Sequence, residues 1–478
     1  MAGRYPAAVA LSLLALSPYL ILTTATLLLE PRLMRELGAT RFELQLTSGM
    51  SNAAYAFGAV AAADLVQRVA RRHLYLLCEA GFVVSSVLAL SAPGIGLFMT
   101  GVILQGLCTG MLLVSALPPL VTGHPLGRLP TTAAVVSLGL FGMVAFGPLV
   151  GGLVGSLGGW RLLFAGIAAL AAIGLTVGAL AFESNDPPDR RARFDWLAIP
   201  LAFGTTVLPF FGVSWLTRGS FSDPAFYLPV VLGLLSGVFL VGGQYKKARP
   251  LMPVRPISNT LPVVGTVNAM LVGACFTTLL ELTETYLTSE ARYSPLRIGV
   301  LVTPQIVGVF IAAVLFRRLL ATRWTQYLAL SGTVSVAVGA AVLLTASTAN
   351  ASVIVPVAAF FLGYGAGAGV TPGLFLAGFS VPSAQIGPTF ALVELLRSEA
   401  AFLVGPVLLH IALTTGLAQG FHLTVAITLA ITVIGGLLLV VLYLLGGARP
   451  QPPDLESWLS GRSTAYHSPA LAAALRKP

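Results

Sequence analysis

The stretch GPLVGGLVGSLGGWRLLF, residues 147–164, opens on an apolar segment with glycine and proline and closes on a tryptophan–arginine pair. Gly147, Pro148, Gly151 and Gly152 form its helix-packing motif. Small residues let two helices approach closely in lipid, and a proline bends a helix because it lacks the backbone N–H. The stretch predicts a bent membrane helix with a close partner, suited to a moving contact. Static helix packing is the alternative.

The chain on both sides of this stretch is strongly apolar. Of its 478 residues, 56% are hydrophobic and 9% are charged, and the mean hydropathy is +0.90. An ordinary soluble domain has about 25% charged residues, so this chain has too few polar side chains to cover a surface that faces water. We therefore expect lipid to surround most of the molecule.

Apolar segments of about the 20 residues that a spanning helix needs recur along the whole chain. The predicted spans are 7–29, 46–66, 73–92, 95–120, 131–155, 160–182, 196–214, 226–244, 261–285, 297–319, 325–346, 352–378, 387–413 and 421–446. They predict an all-α polytopic membrane protein with fourteen transmembrane helices. Twelve is the alternative, if the seventh and eighth segments were re-entrant.

Basic residues set the predicted orientation. Most of the 27 Lys and Arg residues fall in alternate loops and in the two terminal segments. Since cytoplasmic loops carry the excess of Lys and Arg, we expect both termini in the cytoplasm and a multi-pass protein of the cell inner (cytoplasmic) membrane. The net charge of +10 does not indicate nucleic-acid binding, because the basic residues lie in short loops and not in a patch with aromatics.

The spans group into a predicted domain organisation. Residues 1–182 form an N-terminal six-helix bundle, and residues 183–257 form a cytoplasmic linker plus a two-helix insert. Residues 258–446 form a C-terminal six-helix bundle, and 447–478 a cytoplasmic tail with little expected structure. Repeated halves related by an axis along the membrane normal are a common architecture of secondary transporters.

Four motifs, in order and at suitable spacing, resemble the major facilitator superfamily, and specifically its fourteen-helix drug:proton antiporter branch. They are Gly147–Gly152, similar to GPxxGG; Trp160–Phe164, similar to WRxxF; Phe194-Asp195-Trp196-Leu197, similar to the start of the inserted seventh span; and Tyr293-Ser294-Pro295-Leu296 with Gly299 and Pro304, similar to the entry of the tenth. The resemblance implies two six-helix bundles plus a two-helix insert, and proton-driven export by alternating access.

Other family positions depart from the pattern. Leu22 stands where the first span usually has an acid, and Val102 replaces the arginine of the fourth span. The usual proton-coupling residues therefore do not transfer. Asp64 and Arg68 do match the loop motif after the second span, one helical turn apart. They are candidates for a cytoplasmic gate, and a solvated loop pair that only sets topology is the alternative.

Charged residues inside the spans are the candidates for proton coupling or substrate binding. Glu281 and Glu284 lie in the ninth span, three residues apart and hence on one helix face. Glu394, Arg397 and Glu399 lie in the thirteenth. A charge at a helix centre costs about 2.5–3.5 kcal/mol, so such groups usually face a cavity and have a task. One alternative is that Glu281 and Glu284 lie near the outer end of the ninth span and are simply in contact with water. The other is that Glu394 and Arg397 form a structural ion pair.

These observations predict a secondary active transporter and not an enzyme. We expect proton-coupled export of amphipathic drugs or similar small molecules by a monomer in the lipid bilayer, with no cofactor, no metal and no nucleic acid as partner. No phosphate-binding P-loop occurs, so ATP hydrolysis is not expected. One alternative is an exporter or facilitator of an endogenous metabolite or natural product with unusual or no proton coupling. Another is a non-transporting membrane scaffold or sensor.

Overall fold

The computed structural model describes residues 4–183, 195–248 and 250–474, which form helices joined by short connections. The first ten helices are α1 Tyr5–Ala25, α2 Glu30–Leu37, α3 Arg41–Arg68, α4 Arg71–Leu90, α5 Ile95–Thr122, α6 Leu129–Ser137, α7 Met143–Leu157, α8 Trp160–Ala181, α9 Ala198–Trp215 and α10 Pro224–Lys246. The next ten are α11 Val254–Ile257, α12 Thr260–Ser289, α13 Pro295–Val302, α14 Pro304–Leu319, α15 Thr325–Leu343, α16 Ala351–Phe379, α17 Ile386–Thr414, α18 Leu417–Leu445, α19 Leu455–Leu459 and α20 Leu471–Ala474.

The apolar segments are helical because only a helix satisfies every backbone N–H and C=O within one segment in lipid. Within the described ranges, twelve helices are long and apolar enough to cross a membrane. The long helices α3 and α17, at the second and thirteenth predicted spans, are more polar and fall outside this set. The prediction of an all-α, multi-pass protein is confirmed. The count of fourteen spans and the cytoplasmic termini stay predictions.

Two predicted spans are interrupted helices. In the fifth, a π-helical turn at Leu138–Gly142 joins α6 to α7. In the tenth, α13 ends at Val302 and α14 begins at Pro304, because proline has no N–H to continue the helical hydrogen bonds. Single π-helical turns inside α-helices are often found at functional sites.

The described residues pack as two compact units. The first is drawn from Met1–His124 and Leu153–Met252, and the second from Pro125–Gly152 and Pro253–Pro478. The predicted fifth span thus packs with the second unit, although the prediction grouped it with the N-terminal bundle. The predicted bundle bounds themselves stay a prediction, and most of the predicted cytoplasmic linker, residues 184–194, lies outside the described residues.

Glycines set the helix spacing inside each unit. In the first, a Cβ added at Gly110 of α5 would lie 2.0 Å from the carbonyl oxygen of Tyr55 on α3. In the second, a Cβ at Gly363 of α16 would lie 2.0 Å from the carbonyl oxygen of Gln305 on α14. Only glycine permits backbones this close, which is how membrane helices gain packing without a hydrophobic driving force between them.

The C-terminal tail is more ordered than its sequence predicts. Trp458 of α19 is fully buried, stacks edge-on at 4.7 Å against Phe379, and donates its indole N–H to the carbonyl of Val381 at 2.8 Å. The amide of Thr260, at the start of α12, donates to the carbonyl of Pro469 at 2.9 Å. The expectation of little structure is therefore wrong up to residue 474, because the tail buries aromatic side chains against the second unit.

Candidate functional site

The predicted charged residues of the ninth and thirteenth spans lie on two neighbouring helices of the second unit, α12 and α17. Each helix presents a glycine to a charged side chain of the other. A Cβ at Gly273 of α12 would lie 3.0 Å from Cγ of Arg397, and one at Gly405 of α17 would lie 3.2 Å from Oε2 of Glu281. The same offset along both helices shows that they run parallel. The absence of a side chain at these two positions makes room for the charged groups between the helices.

Arg397 and Glu394 form an ion pair within α17. The guanidinium Nε donates to Oε2 of Glu394 at 3.0 Å, and a second N–H contacts Oε1. Both side chains are almost wholly buried, with exposed fractions of 15% and 10%. A two-point pair satisfies both partners where water is scarce, since an isolated buried charge is costly.

Glu399 lies two residues beyond Arg397 and, unlike Glu394, is buried without a hydrogen bond from a described residue. Its exposed fraction is 8%, and neither carboxylate oxygen has a hydrogen-bond partner among the described residues. An ionised carboxylate in this position would lack the hydrogen bonds that usually accompany buried charge. The position therefore suits a group that binds and releases a proton.

The two candidates on α12 differ in burial. Glu284 is buried, with an exposed fraction of 3%, whereas Glu281 is partly exposed and faces Gly405. The structure thus brings Glu281 and Arg397 to the α12–α17 contact, with Glu394 attached through its ion pair. Thr278, one turn before Glu281, also approaches Gly405, at 3.6 Å from Oγ1 to the added Cβ.

The predicted gate residues Asp64 and Arg68 form an ion pair at the end of α3 in the first unit. Asp64 is buried, with an exposed fraction of 5%, so the pair is not a solvated surface contact. It fixes the last turn of α3 by joining residues four apart, the spacing at which helical side chains meet.

The helix-packing motif contacts another of the sequence motifs. Gly147, Pro148, Gly151 and Gly152 are all buried in α7. A Cβ at Gly152 would lie 2.5 Å from the carbonyl oxygen of Pro295, and one at Gly299 would lie 2.5 Å from that of Pro148. The reciprocal contact puts the backbones of α7 and α13 against each other. It explains why glycines stand at these positions of both motifs.

The tryptophan–arginine motif joins α8 to α2. Trp160 donates its indole N–H to Oε2 of Glu36 at 2.8 Å, and Arg161 donates to the same oxygen at 2.9 Å. Arg32 donates to the other oxygen, Oε1, at 3.0 Å. The hydrogen bond from Arg32 has the largest effect and lowers the pKa of Glu36; burial opposes it, and Trp160 and Arg161 add to the lowering, so that the pKa lies below its usual value. Sequence reasoning missed Glu36, which is the acceptor that the motif requires.

The motif at the start of the two-helix insert, residues 194–197, contains a similar hydrogen-bonded carboxylate, Asp195. Phe194 of this motif lies outside the described residues. Asp195 accepts from the amide of Ala198 at 3.1 Å, from Gln244 at 2.9 Å and from Lys247 at 2.5 Å. Burial acts to raise the pKa of this carboxyl, but Lys247 and the other donors together lower it. The cluster ties the start of α9 to the end of α10.

Sequence reasoning also missed a cavity in the first unit that has several polar side chains in its lining, and we call it the Glu30 cavity. It has a volume of about 50 Å³. Its lining is Tyr19, Leu22, Thr23, Thr26, Leu27, Glu30, Leu33, Leu44, Thr47, Ser48, Ser51, Asn52, Phe98 and Val102. The spacing of Tyr19, Thr23, Thr26 and Glu30, one turn from each to the next, is a polar stripe that the sequence contains and that could have predicted the cavity.

The family model of the Major Facilitator Superfamily matches residues 11–406. The chain belongs to this superfamily. This is a superfamily of membrane transporters.

Several curated relatives of the major facilitator chain, at low identity, are named for drug resistance, efflux or export. The Multidrug efflux pump LfrA of Mycolicibacterium smegmatis is 29% identical over 73% of this chain and 68% of its own length. A Multidrug resistance protein B homolog of Mycobacterium tuberculosis is 25% identical over 64% and 57%. The Tetracenomycin C resistance and export protein of Streptomyces glaucescens is 26% identical over 62% and 56%. The matched part of the chain spans about half the length of the first curated relatives.

Solved structures share the fold of the major facilitator chain. A POT family transporter in complex with 5-aminolevulinic acid superimposes with a TM-score of 0.66 at 12% identity, covering 92% of this chain and 96% of that one. The human organic anion transporter MFSD10 gives 0.63 at 14% identity, covering 91% and 99%. At such identities the likeness establishes the fold.

Proposed function

We propose that this chain is a secondary active transporter that exports amphipathic small molecules in exchange for protons, by alternating access. It acts as a monomer in the bacterial cytoplasmic membrane, with both termini inside and no nucleic-acid partner. The relatives that are named for multidrug resistance, export or efflux support export. The observation that carries proton coupling is Glu399, a buried carboxylate without a hydrogen-bond partner among the described residues.

In this proposal, Glu399 exchanges a proton while the neighbouring charges stay paired. The Glu394–Arg397 ion pair keeps α17 fixed through the cycle, and Glu281 provides a second carboxylate where α12 meets α17. A carboxylate in a low-dielectric site is stabilised either by a proton or by a nearby cation. A cationic substrate at Glu399 or Glu281 would therefore compete with a proton, and that competition would couple the two movements.

Alternating access also needs contacts that can move. We assign that role to the close approach of α7 and α13, where Gly152 and Gly299 let the backbones slide without side-chain interlocking. The buried Asp64–Arg68 pair at the end of α3 would hold one of the two states as a cytoplasmic gate.

The experiment is ethidium efflux from preloaded, energised cells of a pump-deficient bacterial host, with and without a protonophore. The strains express the wild type, Glu399→Gln, the double variant Glu281→Gln with Glu284→Gln, and the control Glu290→Gln, which removes an exposed carboxylate at the end of α12. We expect efflux above the empty vector that collapses with protonophore, is lost in Glu399→Gln and persists in the control. Protonophore-sensitive efflux that survives both carboxylate variants would exclude this coupling site.

A second candidate function is export of an endogenous metabolite or natural product with unusual or no proton coupling. Leu22 and Val102, which stand in place of the family's acid and arginine, favour it, as does the relative named for tetracenomycin C export. Under this alternative, ethidium efflux does not exceed the empty vector despite membrane insertion, and efflux of one narrow compound class is insensitive to protonophore.

A further inference from the structure

The hydroxyl groups that line the Glu30 cavity present hydrogen-bond acceptors to it, because their protons are donated elsewhere. Thr23 donates to the carbonyl of Leu20 at 2.8 Å, and Thr26 donates to that of Leu22 at 2.9 Å. Thr47, across the cavity on α3, donates to the carbonyl of its own helix four residues earlier at 2.7 Å. Each threonine has a single hydroxyl proton, so all three offer only lone pairs to the cavity.

The other hydrogen-bonded hydroxyl groups of the lining also donate their protons to acceptors of the protein. Ser51 donates to the carbonyl of Val102 at 2.8 Å. The hydroxyl oxygens of Tyr19 and Ser51 lie 2.9 Å apart, and since the serine proton is already used, Tyr19 is the donor between them. Asn52 donates one N–H to the carbonyl of Ser48 at 2.9 Å. Acceptors therefore dominate the polar surface of the cavity.

Glu30 adds negative charge to these acceptors. Its side chain is enclosed by protein yet keeps partial exposure because it lines the cavity. Burial raises the pKa of this carboxyl to about 7, although the positive charge of Arg41 acts in the opposite direction. Arg41 and Tyr19 are the charged and titratable groups that face it from α3 and α1. The carboxyl is thus largely ionised above pH 7 and largely protonated below it.

We propose that the Glu30 cavity binds the protonated amine head group of a transported compound, with Glu30 as its counter-ion and the hydroxyl oxygens of Thr23 and Thr26 as hydrogen-bond acceptors. A cavity of about 50 Å³ exceeds the roughly 10–15 Å³ that one water needs, so it holds a small head group while an apolar body stays outside. The substrate class rests on the proposed export function. Binding is nevertheless measurable without transport.

The test is binding of dansylcadaverine, a fluorescent primary amine, to the purified full-length protein in lipid nanodiscs. The matched probe is N-acetyl-dansylcadaverine, which has the same body and no ammonium. We expect wild-type affinity for the amine to exceed that for the acetylated probe about tenfold, the effect of losing a charge-assisted hydrogen bond. Glu30→Gln should remove this preference, and Glu290→Gln, an exposed carboxylate of the second unit, should keep it.

The pH dependence has a defined sign. Alkylamines stay protonated between pH 6 and 8, as lysine does, so only Glu30 changes charge. Wild-type affinity for dansylcadaverine should fall as the pH decreases through about 7, and that fall should be absent in Glu30→Gln.

Equal wild-type affinity for the two probes would overturn the proposal, and so would an unchanged preference for the amine in Glu30→Gln. An unchanged preference in the shape-conserving double variant Thr23→Val, Thr26→Val would overturn it as well. This double variant provides the test if Glu30→Gln does not fold. Failure of the export function is distinguishable, because amine binding would then persist in a protein that shows no energised efflux.

Discussion

At the scale of single residues, the charged side chains of α17 differ in whether they have a partner. Arg397 and Glu394 compensate each other through two contacts, whereas the nearby Glu399 is buried without a hydrogen-bond partner among the described residues. Pairing stabilises a buried charge, and a missing partner leaves a carboxyl whose charge depends on its surroundings. The first arrangement suits a structural role, and the second suits exchange of a proton.

The ion pair makes a prediction about stability. Arg397→Met removes the partner of a buried carboxylate and should destabilise the protein by about 3–5 kcal/mol. Adding Glu394→Leu should recover much of the loss, since no charge then needs compensation. Thermal unfolding followed by fluorescence-detected size exclusion measures both effects. A double variant as unstable as the single one would contradict the assignment.

Glu399 makes a different prediction, because its role can be separated from folding. Glu399→Leu should leave thermal stability equal or slightly higher, since a carboxyl without a partner becomes a side chain that tolerates burial. The same variant should abolish protonophore-sensitive ethidium efflux. Loss of folding together with efflux would instead indicate a structural role for the carboxyl.

At the scale of helices, backbone contact at glycine sets how closely elements pack. Gly110→Ala would force Cβ to within 2.0 Å of the Tyr55 carbonyl and so push α3 and α5 apart. We expect a loss of about 1–3 kcal/mol, the usual cost of overpacking. Gly166→Ala on α8, where nothing lies within 4 Å of the added Cβ, is the control and should change stability by less than about 1 kcal/mol.

The tail is an element that packs through the buried indole of Trp458, together with several backbone hydrogen bonds. Trp458→Ala should release residues 450–474 from the second unit, because it removes a fully buried indole and its hydrogen bond to Val381. Limited proteolysis should then cleave the tail at least tenfold faster, as expected for loss of the roughly 3–5 kcal/mol that such truncations cost. Trp324→Ala, at a 50% exposed position, is the matched control. Unchanged cleavage in Trp458→Ala would show that other contacts hold the tail.

At the scale of the whole molecule, the path of the chain through the membrane makes a testable prediction. The helices α9 and α10 of the insert both have the length and composition of a span, and their connection contains Gly219. Alkaline phosphatase fused after residue 219 should be active outside the cytoplasm, and a fluorescent protein fused after residue 449 should fold inside it. An inactive phosphatase fusion would instead favour the re-entrant, twelve-span alternative.

The amino-acid sequence is enough to predict that lipid surrounds the chain and that the fold is all-α. Lipid cannot satisfy backbone hydrogen bonds, so each long apolar run must be helical, and run length and composition can be read locally. Motifs such as Gly147–Gly152 and Trp160–Phe164 likewise gave the superfamily, which the family model confirmed. The candidate charges on α12 and α17 were also visible, since charged residues in apolar runs are conspicuous.

Which of these residues contact one another is visible only in the folded protein. Gly152 meets Pro295, Trp160 finds Glu36, and Glu30 closes a cavity with Thr47 and its neighbours on α3. These contacts join residues from separate helices, and a helical pattern fixes a side chain's face on its own helix but not the helix that this face will meet. The tail was misjudged for the same reason, because its polar, proline-containing sequence gives no sign of the pocket that buries Trp458.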